Sequence, residues 1–240
     1  MRVAVIGGGA TGLCVAKELR EQGHEPHVFE AESSIGGVYR RAPTSTRLTT
    51  SSHNTAFGSD PVEESVMWSC NEYVEYLEAY VQRHTLGDCL SFSSRVLDAK
   101  FTAGQGWEVS VQTGGTVSSH RFDSLAACSG LNTHAAQIPA EVAGSTARVV
   151  HSSEVRDLSV FAGRRVLLVG CGESGSDFAL HISRTAAKSV LSMRNGPGYV
   201  IPRFFAGKVT DRDTTRAYHS LPKWLHGGIP SLISIKGWLE

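Results

Sequence analysis

The first apolar run of the chain, RVAVIG at residues 2–7, has no polar interruption after its opening arginine, the pattern of a strand buried on both faces. Over 10–22 (ATGLCVAKELREQ) apolar positions recur at Leu13, Ala16 and Leu19, one face of a helix, and Gly23 stands where a helix-ending glycine is expected. A second strand at 25–30 (EPHVFE) completes a β-α-β unit. The same order returns later, with a strand at 165–170, a helix from Ser174 to about Thr185 and a strand at 189–194.

Between the two units the pattern changes several times. Residues 40–65 are rich in Ser, Thr and Arg, contain Pro43 and Pro61, and show no periodicity, which predicts a long irregular connection. Over 69–84, Ser69 and Glu72 have capping-box spacing, and Tyr73, Tyr76, Leu77 and Tyr80 share one helix face, a core stripe. From 90 to 122 short alternating strands follow, with WEVSVQT and TVSSHRF flanking a Gly114–Gly115 hairpin turn. SLAACSG at 124–130 reads as another buried strand, and 131–163 as a connector containing Pro and Ala. Past residue 195 the chain is interrupted by Pro and Gly, and no further β-α-β unit is legible.

Each β-α turn carries G-x-G-x-x-G: Gly7, Gly9 and Gly12 in the first, Gly170, Gly172 and Gly175 in the second. The first glycine makes the tight turn, the second lets backbone approach a pyrophosphate, and the third lets helix pack on strand. The helix N-terminus, starting near Ala10 and Ser174, then offers free N–H groups to the phosphates. The two units differ at the end of their second strands. Glu30, 23 residues after Gly7, can accept hydrogen bonds from a ribose hydroxyl, which suits FAD or NAD. Arg194, 24 residues after Gly170, suits the 2′-phosphate of NADPH, which a carboxylate would repel. The expected architecture is α/β, two Rossmann-like dinucleotide-binding units with a small β-meander insertion, the second unit incomplete. Its expected domains are 1–145 around the first cradle, with the helix and meander inserted at about 68–122, and 146–240 around the NADPH cradle.

Composition narrows the partners. Hydrophobic residues make up 41% and charged residues 19%, an ordinary globular balance. Lys plus Arg and Asp plus Glu are 23 each, without a basic stripe, which argues against nucleic acid or an anionic membrane. The five cysteines have no metal-ligand spacing, so no metal site is expected, and they read as reduced core residues. No apolar run reaches the roughly 20 residues of a membrane helix. A strand that starts directly after Met1 leaves no room for a targeting peptide, so a cytoplasmic location is expected.

Beyond the two cradles, several segments carry a family resemblance: VAVIGGGATGL, then FEAESSIGGVYR, LTTSSHNTAFGSDP at 48–61, MWSCNEYVEYLEAYV at 67–81, FDSLAACSGLNTHAAQIP at 122–139, and the run at 149–183 into the second cradle. In these the chain resembles the flavin-containing monooxygenases, relatives of the Baeyer–Villiger enzymes, over nearly all of residues 2–205. The resemblance implies FAD held by Gly7, Gly9, Ala10, Gly12, Glu30, Gly37, Tyr39, Arg40 and Gly130, and NADPH held by Gly170, Gly172, Ser174, Gly175 and Arg194. It implies a reduced flavin that reacts with O2 to a C4a-hydroperoxide and oxygenates a soft nucleophile, an amine nitrogen or a sulfide sulfur. Asn54 is then the candidate for the flavin-side asparagine, with Thr50 the alternative. His151 matches the end of the family's F-x-G-x-x-x-H signature, but Ser145 and Ala147 stand at the Phe and Gly positions, and a capping role for the histidine is equally open.

The family's late A-T-G strand has no counterpart after residue 195, and family chains are about twice as long, so a partial second domain is expected. Three functions follow: a monooxygenase acting on a small molecule and O2, a catalytically inactive remnant binding FAD and NADP, or another two-dinucleotide flavin reductase. The last needs a redox cysteine pair, and no C-x-x-C or C-x4-C is present. An incomplete second domain would also expose apolar surface, which can drive association into a homo-oligomer or instability.

Overall fold

The computed structural model describes residues 1–131, 138, 140–194, 203–205, 207–211 and 220. In chain order the elements are β1 (Arg2–Ile6), α1 (Ala10–Glu21), β2 (Glu25–Phe29), α2 (Val38–Arg41), α3 (Ser52–Thr55), α4 (Cys70–Arg83), β3 (Leu90–Ser91), β4 (Ser94–Thr102), β5 (Gly106–Thr113), β6 (Thr116–Phe122) and β7 (Ser124–Ala127). After these come α5 (Ala140–Ala143), β8 (Arg165–Val169), α6 (Glu173–Ile182), β9 (Lys188–Ser192), β10 (Phe204–Phe205) and β11 (Lys208–Val209). They form two compact units: Met1–Thr46 with Ser69–Val160, and Arg47–Trp68 with Phe161–Glu240.

In the first unit a parallel sheet runs β3-β2-β1-β7. The chain therefore leaves β1 toward β2 and β3 on one side and returns to β7 on the other. That reversal is the doubly wound topology, whose ligand site lies beyond the carboxyl ends of the strands at the switch point. β1 is the central strand, and Val3, Ala4 and Val5 are buried as the uninterrupted apolar run predicts. α1 seals one face with Leu13 and Ala16 and closes on a Schellman turn, where Gly23 N–H donates to Arg20 O (3.0 Å) and His24 N–H to Leu19 O (2.9 Å).

The antiparallel meander β4-β5-β6 joins the same core. Its Val109, Val111 and Phe122 pack with Ala4 and Phe29. α4 carries the expected capping box, with Ser69 Oγ accepting from Glu72 N–H (3.2 Å) and Glu72 Oε2 accepting from Ser69 N–H (2.6 Å). Of its aromatic stripe, Tyr73, Leu77 and Tyr80 are buried, while Tyr76 is half-exposed and stacks on Tyr73.

The second unit holds β8 and β9 paired in parallel, with α6 between them in sequence, and the short hairpin β10-β11. The irregular segment over 40–65 takes in the end of α2 and all of α3, one-turn helices of four residues each and too short to register as a period. The connector over 131–163 likewise contains α5 and two short 3-10 turns. The glycine- and proline-rich stretch from 195, and Asn132–Gln137 of the connector, lie almost wholly outside the described residues. Among the described residues no helix is long and apolar enough to cross a membrane.

Candidate functional site: two glycine cradles and a polar turn

The first loop lies between the ends of β1 and β7, at the switch point. Gly7 has φ +106°, and a Cβ there would come within 2.5 Å of Cys128 O, so only glycine lets the two strand ends meet. A Cβ on Gly12 would sit 1.9 Å from Gly7 O, which forces α1 against the turn. Gly9 differs: its Cβ would meet nothing nearer than Gly37 Cα at 3.9 Å, and its φ of −81° is ordinary. The space above Gly9 is open, as a pyrophosphate requires. Ala10 opens α1, whose first turn has no acidic residue and no side-chain cap, leaving its N–H groups available to an anion.

Glu30 follows β2 and is buried. Its Oε2 accepts from Gly8 N–H (2.6 Å) and its Oε1 from Glu32 N–H (2.8 Å), so the carboxylate braces the loop it faces. Each oxygen keeps a lone pair for a ribose hydroxyl. Gly36 N–H donates to Gly8 O (3.1 Å), and Gly37 adopts φ +55° against Gly9, closing the cradle from a third side. Gly130, past β7, also has positive φ (+87°). Gly8, Gly36 and Cys128 thus belong to the cradle, although the motif spacing does not single them out. The run of three glycines over 7–9 was the available signal for Gly8.

Tyr39 and Arg40 stand on α2. Tyr39 packs edge-on against Tyr73 at 4.7 Å, and burial raises the pKa of both phenols above the ordinary value. Arg40 is turned to α4, pairing with Glu78 and donating through Nε to Ile35 O (3.2 Å). Its guanidinium is committed to joining α2 to α4. All five cysteines are free thiols, and burial pushes Cys14 and Cys128 beside the loop upward in pKa. Among the described residues no cluster could hold a metal ion.

The second loop repeats the geometry within its own unit. Gly170 has φ +100°, a Cβ on Gly175 would sit 2.2 Å from Gly170 O, and a Cβ on Gly172 would meet nothing within 4 Å. Ser174 lies exposed in the first turn of α6 beside Glu173. The register refines the comparison of strand ends. Ile6 pairs with Phe29 and Val169 with Ser192, so Glu30 is matched by Met193, and Arg194 stands one residue further. Arg194 is exposed and makes no hydrogen bond or ion pair with the described residues, leaving its guanidinium available to a phosphate.

His151 caps a short 3-10 turn, its Nδ1 accepting from Ser153 N–H (3.2 Å), which favours the capping reading. Asn54 lies in α3, inside the second unit, where its Nδ2 donates to Asp211 O (2.9 Å) and Asp211 Oδ2 (3.0 Å). Thr50 pairs its hydroxyl with Thr55 Oγ1 (2.7 Å). Asp211 also accepts from Ser51 N–H (2.7 Å). Asp211 went unnoticed in the sequence because 157 residues separate it from Asn54.

This arrangement can be set beside known proteins. A model of the flavin-binding monooxygenase-like family matches residues 1–211. A 4-hydroxybenzoate brominase (decarboxylating) of Marinomonas mediterranea is 33% identical over 95% of this chain and 46% of its own length. Flavin-containing monooxygenase 5 of Homo sapiens is 32% identical over 81% of this chain and 40% of its own length. The chain thus spans less than half the length of these curated relatives. A solved flavin-containing monooxygenase from Stenotrophomonas maltophilia shares the fold with a TM-score of 0.74, at 24% identity over 83% of this chain and 59% of that one. With a family match that runs from the first cradle through the second and on to Asp211, this chain belongs to the flavin-binding monooxygenase-like family.

Proposed function

We propose that the chain binds FAD at the first cradle and NADPH at the second, and that it acts as an NADPH-dependent flavin monooxygenase on an electron-rich small molecule, an amine nitrogen or a sulfide sulfur. The observation that carries the reading is the pairing of two open glycine cradles with opposite charges at their strand ends, Glu30 in one and Arg194 in the other. Bound FAD supplies the electron transfer and the activation of O2. The protein's own part is to bind and orient. The N–H groups at the start of α1 and α6 take the two pyrophosphates, with Gly9 and Gly172 leaving room for them. Glu30 accepts the ribose hydroxyls of FAD, and Arg194 holds the 2′-phosphate. Asn54 supplies a hydrogen-bonding group to a bound ligand.

The test is to titrate the purified chain with FAD and then add NADPH in air. A bound flavin that bleaches with NADPH and recovers with O2 supports the reading, and a protein that takes up no FAD overturns it. In the same assay Arg194→Glu should weaken NADPH roughly tenfold or more while NADH is little changed. Equal losses would remove the assignment of the second cradle. The alternative is binding of both nucleotides without turnover. FAD uptake with no NADPH oxidation would select it.

A further inference from the structure

The turn that carries Asn54 is held by residues more than 150 positions away. At its start, Arg203 donates through Nε to Leu48 O (2.9 Å) and through Nη2 to Arg47 O (2.8 Å). The same guanidinium pairs with Asp177 of α6, a buried carboxylate, at 3.0 Å. At its centre, Ser51 precedes α3 without a side-chain cap, and its N–H donates to Asp211 Oδ2 (2.7 Å). Burial alone would raise the Asp211 pKa, but the hydrogen bonds from Asn54 and Ser51 outweigh it and hold the carboxyl below its ordinary range.

The contacts of Asn54 fix which way its carboxamide points. A backbone carbonyl and a carboxylate oxygen lie 2.9 and 3.0 Å from one end of the amide, and both are acceptors only. The end facing them must be the NH2 group, since an amide oxygen there would face two other oxygens. Both N–H bonds are used in this way. The amide oxygen is left pointing outward from an exposed residue with no partner among the described residues.

We propose that Asp211 is a positioning residue for Asn54, holding its NH2 inward so that the side chain meets a bound ligand as a hydrogen-bond acceptor. The ligand group it serves must then carry an N–H or O–H, as a protonated amine does. The role at the ligand rests on the function proposed above. The clamp itself stands on the geometry of the second unit.

The experiment therefore has two arms. In the first, the Asn54 side-chain amide resonances of 15N-labelled protein are assigned by their loss in Asn54→Ala and followed against pH without cofactor. They should be protected from exchange and should shift as Asp211 titrates, with a midpoint below that of an ordinary carboxylate. Asp211→Asn, which keeps two acceptors, should retain the protection and lose the titration. Asp211→Ala should exchange about tenfold faster, the worth of a hydrogen bond to a charged acceptor. Resonances indifferent to Asp211→Ala, or a wild-type amide that does not titrate, overturn the clamp, and if the alanine variant does not fold the asparagine variant decides. In the second arm, the FAD-loaded protein is given NADPH and the released peroxide measured. Asp211→Ala should raise peroxide several-fold at unchanged FAD affinity, with Asp211→Asn close to wild type. Unchanged peroxide release with bound FAD overturns the role at the ligand, whereas absence of FAD uptake overturns the proposed function and leaves the first arm to judge the clamp.

Discussion

The two glycine cradles share one backbone geometry and live in different surroundings. Gly7 and Gly170 have φ of +106° and +100°, and the third glycines would each place a Cβ within 1.9 and 2.2 Å of the first glycine's carbonyl. Yet in the first unit β1 lies between β2 and β7 with Ala4 and Val5 fully buried, while in the second Leu167 and Val169 of β8 are 64% and 65% exposed. β8 pairs only with β9 among the described residues, and α6 covers a single face. The loop itself is a local product of strand, glycine and helix. Its burial is not, because that needs neighbouring strands and a cover supplied by distant parts of the chain. The first cradle has both, through β7 and the meander. It is also braced by Glu30 and Gly36, whereas α6 opens with the acidic Glu173, which a phosphate must tolerate.

The contrast can be broken most forcefully at Gly12. Gly12→Ala drives a methyl group into Gly7 O inside a packed core, and should cost about 3 kcal/mol in denaturant unfolding and abolish FAD uptake. Gly175→Ala makes the same collision in the more open unit. It should cost only about 1 kcal/mol and lower NADPH affinity with FAD binding intact. If it removes FAD as well, the two cradles are not independent. Gly9→Ala and Gly172→Ala sharpen the point, since both sites have ordinary φ and open space. Stability should stay within about 0.5 kcal/mol while FAD and NADPH affinities, respectively, fall, because the methyl group occupies the path of a pyrophosphate.

The smallest effect concerns the meander cover of the first unit. His27 sits among Phe29, Phe122 and His120, with ring centroids 4.5 Å from Phe29 and 6.0 Å from Phe122. Burial lowers its pKa, and His120 and Arg2 add to the shift. The unfolded chain therefore takes up the proton first as pH falls below about 6.5. Stability should decline from there until the folded imidazole also protonates, and should be flat with respect to this group above it. Thermal unfolding followed between about pH 8 and pH 5 should lose part of that slope in His27→Gln.

Much of this fold was legible from period and punctuation. The uninterrupted run before Gly7, the spacing of Ser69 and Glu72 and the Gly114–Gly115 turn each describe interactions between residues a few positions apart, and each appears as read. The one-turn helices α2 and α3 escaped because four residues complete no period. Arg40 was read with the cradle on the strength of its neighbours Gly36 and Gly37, and its pairing with Glu78 depends on where α4 lies.

Local sequence thus determined the two β-α-β units, the glycines that permit their turns and the sign of the charge beyond each second strand. These follow from steric and hydrogen-bonding rules that act within one or two turns of chain. Tertiary structure decided which cradle is buried, that Glu30 spends two acceptor positions on its own loop, that Arg194 lies one residue beyond the counterpart of Glu30, and that Asp211 orients Asn54. Each of these depends on which distant segments meet, and spacing along the chain carries no record of that meeting.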